Sequence, residues 1–502
     1  MSHPRKTLAA AGAAVALTLA GALASAPPAS ALPPGATYTI SVGSTGSYAY
    51  PTDTPASTYI DKDGTFYFQQ ANAAYDASDP RYWDFYTGTN LETASRSSTI
   101  SNYVNPANSS DRNNDTTWRC NNSPTGVEST YAPSGSSYSQ RNFCDLSGVW
   151  VDPDTGNWHG LVHNEFTPQP FDDGLHYDAI DHAVSTNQGR TWTIDSHAIT
   201  SPYSTKRNDT TAFPNQTYDY GDGDQRLFVD TASGYFYAFY GSRIVDKGGS
   251  WKAFYSHVAR APMSGKMTTG TWQKWYNGAW TQPGVGGKES NMVPVNASNS
   301  TGYTPTGSEY NPMNTGTASQ QIANGKMPAT SPLFVMNITY NAYLGIYLGT
   351  PQAVDQSGNA PQEYYATDDL TTQKWTRIGD SGSYKTASWY RWFLDGANKT
   401  SSGQNQKWVF TQQSDGSYRI ANAESGLCVD VSGASGSAGA QIIQWTCSTD
   451  SNQRWIATAV SGGYTLTSQS SGLLLTTAST TDGALITQQA NTGSALQRWT
   501  IS

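Results

Sequence analysis

Along most of the chain apolar and polar residues alternate in short runs, and no sustained helical spacing appears between Ala36 and Ala397. What recurs is an apolar strand, a tight acidic or glycine-bearing turn, and an aromatic strand. The copies are STYIDKDGTFYFQQ (57–70), SGVWVDPDTGNWHGLVHNE (147–165), QRLFVDTASGYFYAFYGS (225–242) and, more weakly, SPLFVMNITYNAYLGIYLG (331–349). Turns such as DKDG, DPDTG and DTASG suit hairpins, because Asp and Gly accept the backbone angles that reverse a strand. AVSTNQGRTW (183–192) and YATDDLTTQKW (365–375) read as further, outer hairpins.

Repeated four-stranded units of this size predict propeller blades. Four are visible, and a fifth is expected from the flanks, with TYTISV (37–42) and SWYRWFLDGA (388–397) closing the ring. A β-sandwich with insertions is the alternative. The hairpins resemble those of the five-bladed glycoside hydrolases, the arabinanase, β-xylosidase and invertase-like group. The resemblance is one of pattern over residues 36–397. It implies a glycan-cleaving domain with carboxylates at the starts of the first three blades.

The C-terminal segment, 404–502, repeats itself: NQKW (405–408), NQRW (452–455) and LQRW (496–499), with SGLCVDVSGASGSAGAQIIQWTC and SGLLLTTASTTDGALITQQ before the second and third. One tryptophan per unit implies units that share a core. This resembles the ricin-type β-trefoil lectin family, marked by a Q-x-W triplet in each lobe. The resemblance implies sugar contacts from Asp430, Trp445 and Asn452 in the middle lobe. The last lobe has Thr476, Gln488 or Gln489, and Leu496 at those places and is expected to bind no sugar. The expected fold class is therefore all-β, a five-bladed β-propeller followed by a ricin-type β-trefoil.

Composition adds the compartment. Arg5 and Lys6, an apolar run to Ala24 and the small residues Ala29-Ser30-Ala31 predict a cleavable leader over 1–31, hence a secreted, extracellular protein. The cysteines fall into two locally separated couples, and in an exported chain the expected pairing is Cys120–Cys144 and Cys428–Cys447. The formal net charge of −9, made more negative by loss of the leader's two cations, disfavours nucleic acid and anionic membranes as partners. Abundant Trp, Tyr, Asn, Ser and Thr suit a poly- or oligosaccharide partner, and a monomer is expected.

In a propeller, the start of a blade's first strand and the end of its second lie side by side at one mouth of the channel. That rule gathers Asp53 from blade one, Asp145, His163 and Glu165 from blade two, and Asp222, Asp224 and Arg243 from blade three. Glycosidic hydrolysis needs such carboxylates, one to protonate the leaving oxygen and one to activate water or attack the anomeric carbon. The resemblance to the five-bladed hydrolases implies Asp53 as base or nucleophile, Asp145 as the orienting group, and Asp222 or Asp224 near the family's acid position. Glu165 is expected as the acid, its pKa raised by Asp145, with Glu289 a rival. His163, Asp222, Arg243 and Glu289 are the expected substrate contacts; Arg243 would steady an acidic sugar or pair with Asp222. Asp178 reads as an outer-strand residue, and Trp251 as blade core.

No cofactor motif or metal-ligand spacing is present, although the GDGD turn at 221–224 could take a structural Ca2+. A non-catalytic glycan-binding protein and a polysaccharide lyase are the competing readings.

Overall fold

The computed structural model describes residues 7–8 and 36–501 except 44–51, 92, 137, 169–174, 342–343, 356, 388, 394–407, 423–425, 462 and 479–484. The expected leader apart from Thr7–Leu8, Asn405 and the end of the 388–397 segment lie outside the described residues.

Among the described residues, four antiparallel arrays of strands follow one another in the first domain, the second and third joined by one parallel bridge, Asp178 to Gly221. The first holds β1 (Ser57–Ile60), β2 (Phe66–Ala73), β3 (Arg81–Gly88) and β4 (Ser95–Arg96). The second holds β5 (Asn142–Val151), β6 (Trp158–Phe166), β7 (Tyr177–Ser185) and β8 (Thr193–Ile199). The third runs through β9 (Thr217–Asp230), β10 (Tyr235–Asp246), β11 (Ser250–Pro262), β12 (Gln273–Tyr276) and β13 (Ala279–Pro283). The fourth holds β14 (Met336–Asn341), β15 (Ile346–Pro351), β16 (Pro361–Thr367) and β17 (Thr376–Lys385). The expected hairpins are β1–β2, β5–β6, β9–β10 and β14–β15, and the outer ones are β7–β8 and β16–β17.

The sheets pack face to face through apolar layers. Tyr59, Tyr67, Trp83, Leu146, Trp158 and Trp192 fill the space between the first and second sheets. Leu161, Ile180, Phe236 and Trp272 fill the next, and Phe239, Val258, Met336, Ile338 and Trp375 the one after. The acidic turns complete these layers. Asp61, in the first hairpin's turn, accepts the indole N–H of buried Trp158 at 2.8 Å, satisfying a donor that the core would otherwise strand. Residues of all four first strands, Ser57, Ser147, Gln225 and Asn337 among them, line one axial cavity of about 60 Å³.

The fold is thus the expected all-β propeller, and the described residues at the expected fifth unit's C-terminal flank, Trp389–Phe393, carry no strand. They cross between the fourth and first sheets as a strap. The Arg391 guanidinium donates to the Pro351 carbonyl at 2.8 Å, the Phe393 N–H to Asn337 at 2.8 Å, and Trp392 packs with Phe66, Phe68 and Tyr86. The segment beginning at Thr37 does not join the strap. Tyr38 donates to the Ile378 carbonyl at 2.8 Å, so this segment lies against β17.

The second domain is a trefoil. Its strands are β18 (Trp408–Gln412), β19 (Tyr418–Asn422), β20 (Cys428–Val431), β21 (Ile442–Trp445), β22 (Arg454–Val460), β23 (Gly463–Ser468), β24 (Leu474–Thr477) and β25 (Ile486–Gln489). Trp408, Trp455 and Trp499 share one core, as the repeat predicts. Trp455 and Trp499 donate equivalent indole bonds of 3.0 Å to the carbonyls of Val429 and Leu475. Both expected disulfides form, Cys120–Cys144 and Cys428–Cys447.

Candidate active site

Strand register assembles the mouth. Asp145 on β5 lies opposite His163 on β6, and Glu165, two residues on, lies opposite Asp178 on β7. Side chains two apart on a strand share a face, so His163 and Glu165 point together while Asn164 points away. Asn164 accepts from Asn142 at 3.0 Å and donates to Asp181. Asp53 enters from the segment before β1, its N–H donating to the Ala71 carbonyl at 2.9 Å, and Tyr390 of the strap donates to its carboxylate at 2.5 Å.

These carboxyls repel one another in a largely dry site, and their partners decide which stay charged. Burial, reinforced by repulsion from Asp53 and Glu165, pushes Asp145 well above the usual carboxylate range. Its Oδ1 has no hydrogen-bond partner among the described residues. Burial and the charge of Glu165 also raise Asp53, to about 6, against the pull of the Tyr390 hydroxyl. Glu165 goes the other way. Burial opposes its ionisation, but His176 and His163 overcome it and hold the carboxyl below the usual range. The His163 and His176 Nε2 atoms lie 3.2 and 3.1 Å from Glu165 Oε1. The expected rise of Glu165 beside Asp145 is thus reversed: Asp145 is the carboxyl pushed up, and Glu165 the one held down.

His163 is not free for a substrate hydroxyl. Its Nδ1 accepts the Asp224 N–H at 3.0 Å, and its Nε2 faces Glu165. The nearby carboxylates favour its cation, raising it to about 9 against burial. Taking a second proton, however, requires the Asp224 amide to turn away, so the ring as placed is the neutral tautomer with its proton on Nε2. Gly223 permits this contact, because a Cβ there would fall 2.6 Å from His163 Nδ1. Asp224 follows with φ +56°, a left-handed conformation uncommon outside glycine.

His163, Glu165 and Asp178 converge as three metal ligands would, with their donor atoms within 4.8 Å of one another. The tautomer argues against that use, since a protonated Nε2 has no lone pair for a cation. The carboxylates of the GDGD turn are each paired with a cation of the protein. Asp224 is bound by Arg243, and Asp222 by Lys274 at 2.9 Å.

Three further expectations change. Arg243 is consumed: it bonds Asp178 at 3.0 Å as well as Asp224, not Asp222, and Tyr220, Trp251, Phe334 and Trp389 surround its guanidinium. Both of its terminal nitrogens are thus taken by protein carboxylates. Asp222 and Glu289 do not join the mouth. Both grip buried Lys274, Glu289 at 2.6 Å, and Glu289 also accepts from Tyr240 at 2.7 Å. Burial, then repulsion from Glu289, raises Asp222 to about 7.

Asp178 and His176, in turn, belong to the site. Their place at the head of a blade's third strand hid them; the Glu165–Asp178 register reveals them. Tyr138 and Tyr220 hydroxyls bond the two nitrogens of His176 at 2.6 and 2.7 Å. Trp251 is 40% exposed rather than core, and its ring packs edge-on against Tyr220. The mouth is therefore acidic and walled by aromatic rings, with Arg226 and Arg243 engaged by protein partners.

In the trefoil's middle lobe, Asp430 accepts from Asn452 at 3.0 Å and from Gln453 at 2.7 Å, while Trp445 is 61% exposed beside them on β21. By the strand register Asp430 and Trp445 share one face of the β20–β21 hairpin, the carboxylate held and the indole open. Residues 404–489 match the family model described as ricin-type beta-trefoil lectin domain-like.

No curated protein matches the chain. Among solved structures, the chain is similar to an exo-β-1,3-galactanase from Clostridium thermocellum, at 16% identity over 70% of this chain and 94% of the other, TM-score 0.20. A family 43 β-1,3-galactosidase matches at 11% identity over 89% and 93%, TM-score 0.32. A designed threefold-symmetric protein matches at 24% identity over 33% of this chain and 95% of its own, TM-score 0.20. At these scores the chemistry has to come from the residues themselves.

Proposed function

We propose that the chain is a secreted glycoside hydrolase whose propeller, within residues 36–397, cleaves a glycosidic bond while the trefoil, 404–502, holds it on glycan. The observation that carries this reading is the split among neighbouring carboxyls: Asp145 is kept neutral while Glu165 is pinned as a carboxylate and Asp53 titrates near 6. Asp145 then protonates the leaving oxygen. Asp53, ionised above its pKa, activates water or attacks the anomeric carbon, and the separation of the two in the bound complex sets the stereochemistry. Glu165 does no proton transfer. It raises both partners and stabilises positive charge that develops on the ring.

The aromatic wall suits the faces of sugar rings, and engaged arginines suit a neutral glycan. Two disulfides and the expected leader support export. A lectin site on the same chain raises the local concentration of substrate.

The test is release of reducing ends from a panel of neutral poly- and oligosaccharides by the native chain, Asp53→Asn and Asp145→Asn. Loss of activity in both variants supports the assignment. Full activity in either refutes its role, and binding without cleavage by the native chain favours a non-catalytic lectin.

A further inference from the structure

The strap is the unexpected element of the fold, and it ends at the chemistry. Trp389 wedges between Trp251, Phe254 and Phe334, with ring centroids 6.3 to 6.4 Å apart, and its carbonyl accepts from Arg226 at 3.4 Å. Arg391, Trp392 and Phe393 tie the following residues to the fourth and first sheets. Between these two anchorages sits Tyr390. Its hydroxyl meets Asp53 at 2.5 Å, and the Arg226 guanidinium lies 5.6 Å from its ring centroid.

We propose that Tyr390 is a positioning residue for Asp53, so that the strap leading from propeller to trefoil supplies part of the hydrolytic site. The proposal rests on the hydrolase reading for its catalytic consequence, but the contact itself can be tested without substrate. Among the described residues, the donor that reaches the Asp53 side chain is the Tyr390 hydroxyl. The groups around it are Glu165 and His163 from β6, Asp145 from β5, Asp224 from β9, Tyr75 from just after β2, and Tyr390 itself. Glu165 and Asp224 oppose its charge, and the Tyr390 hydroxyl favours it. A short, directional hydrogen bond to a carboxylate both favours its charged form and fixes its rotamer. An Asp53 left to rotate would lose its aim at the anomeric carbon, and small misplacements of a reacting group cost large factors in rate.

The sequence offers no hint of this pair, because 337 positions separate the two residues. It arises only when the ring closes.

The experiment is a thermal-melting cycle on the full chain: native, Tyr390→Phe, Asp53→Asn and the double variant, each at pH 4.5 and pH 8. Losing the hydroxyl raises the folded pKa of Asp53 further, so the added penalty is present above that pKa and absent well below it. Tyr390→Phe is expected to lower the propeller's midpoint by a few degrees more at pH 8 than at pH 4.5, and this difference is expected to vanish in the Asp53→Asn background. Equal shifts at both pH values, or a pH-dependent shift that persists in the Asp53→Asn background, would overturn the proposal and leave Tyr390 a packing residue. If Tyr390→Phe alone does not fold at pH 8, recovery in the double variant supports the coupling and continued failure overturns it. On a cleaved glycan, kcat is expected to fall about tenfold with KM within about twofold. A protein that shows the coupling but cleaves nothing retains the contact and loses the hydrolase reading.

Discussion

Replacing Asp53 by Asn should stabilise the protein while removing its activity. Burial and Glu165 raise the Asp53 carboxyl from 3.8 to about 6. A group with a raised folded pKa binds its proton more tightly in the folded state, so folding loses stability as pH rises from about 4 to about 6 and stays penalised above. At about 1.4 kcal/mol per pKa unit, the two-unit shift costs at most about 3 kcal/mol at pH 7.5. Asn carries no charge to desolvate, and its amide oxygen can still accept the Tyr390 hydroxyl. At about 2.1 cal/mol/K of unfolding entropy per residue, a domain of this size shifts by about 1–1.5 °C per kcal/mol, so the propeller's midpoint should rise by up to roughly 4 °C at pH 7.5 and hardly at all at pH 4. Loss of a reacting carboxylate should cut kcat by about 10²- to 10⁴-fold. Calorimetry at the two pH values and a reducing-end assay read both arms. A lower midpoint at pH 7.5, or hydrolysis at the native rate, would refute the reasoning.

Gly223→Ala should be damaging, because the new methyl would meet His163 Nδ1 at 2.6 Å and Asp178 Cβ at 2.9 Å, and both partners are held by their own bonds. Overpacking of this kind costs about 1–3 kcal/mol, read by urea unfolding, and a native midpoint would show that the two strands can part without cost. Lys274→Met should be worse, about 3–5 kcal/mol, since it strands Asp222 and Glu289 beside each other. Adding Asp222→Asn to it should return part of that loss, most of all near pH 8; no recovery would place the damage in packing. Trp445→Ala should leave the stability within about 0.5 kcal/mol, being exposed, yet release the chain from insoluble polysaccharide in a pull-down. Undiminished retention would move the sugar site elsewhere.

Much of this protein is settled by local order in the chain. The hairpins, the acidic turns, both disulfides and the tryptophan-centred trefoil follow from residues close in sequence, where strand period and turn chemistry act directly. The placing of Asp145 beside His163 and Glu165 is of the same kind, a register within one hairpin. The state of those groups is not. Glu165 is charged because His176 arrives just ahead of β7, and Arg243 is closed to ligand because Asp178 arrives with it. Asp222 is withdrawn because Lys274 reaches it from β12, and Asp53 is held because the strap returns from the far end of the domain. Sequence decides which residues can meet along a strand; ionisation depends on every charge and wall within several ångströms, and only the closed ring brings those together.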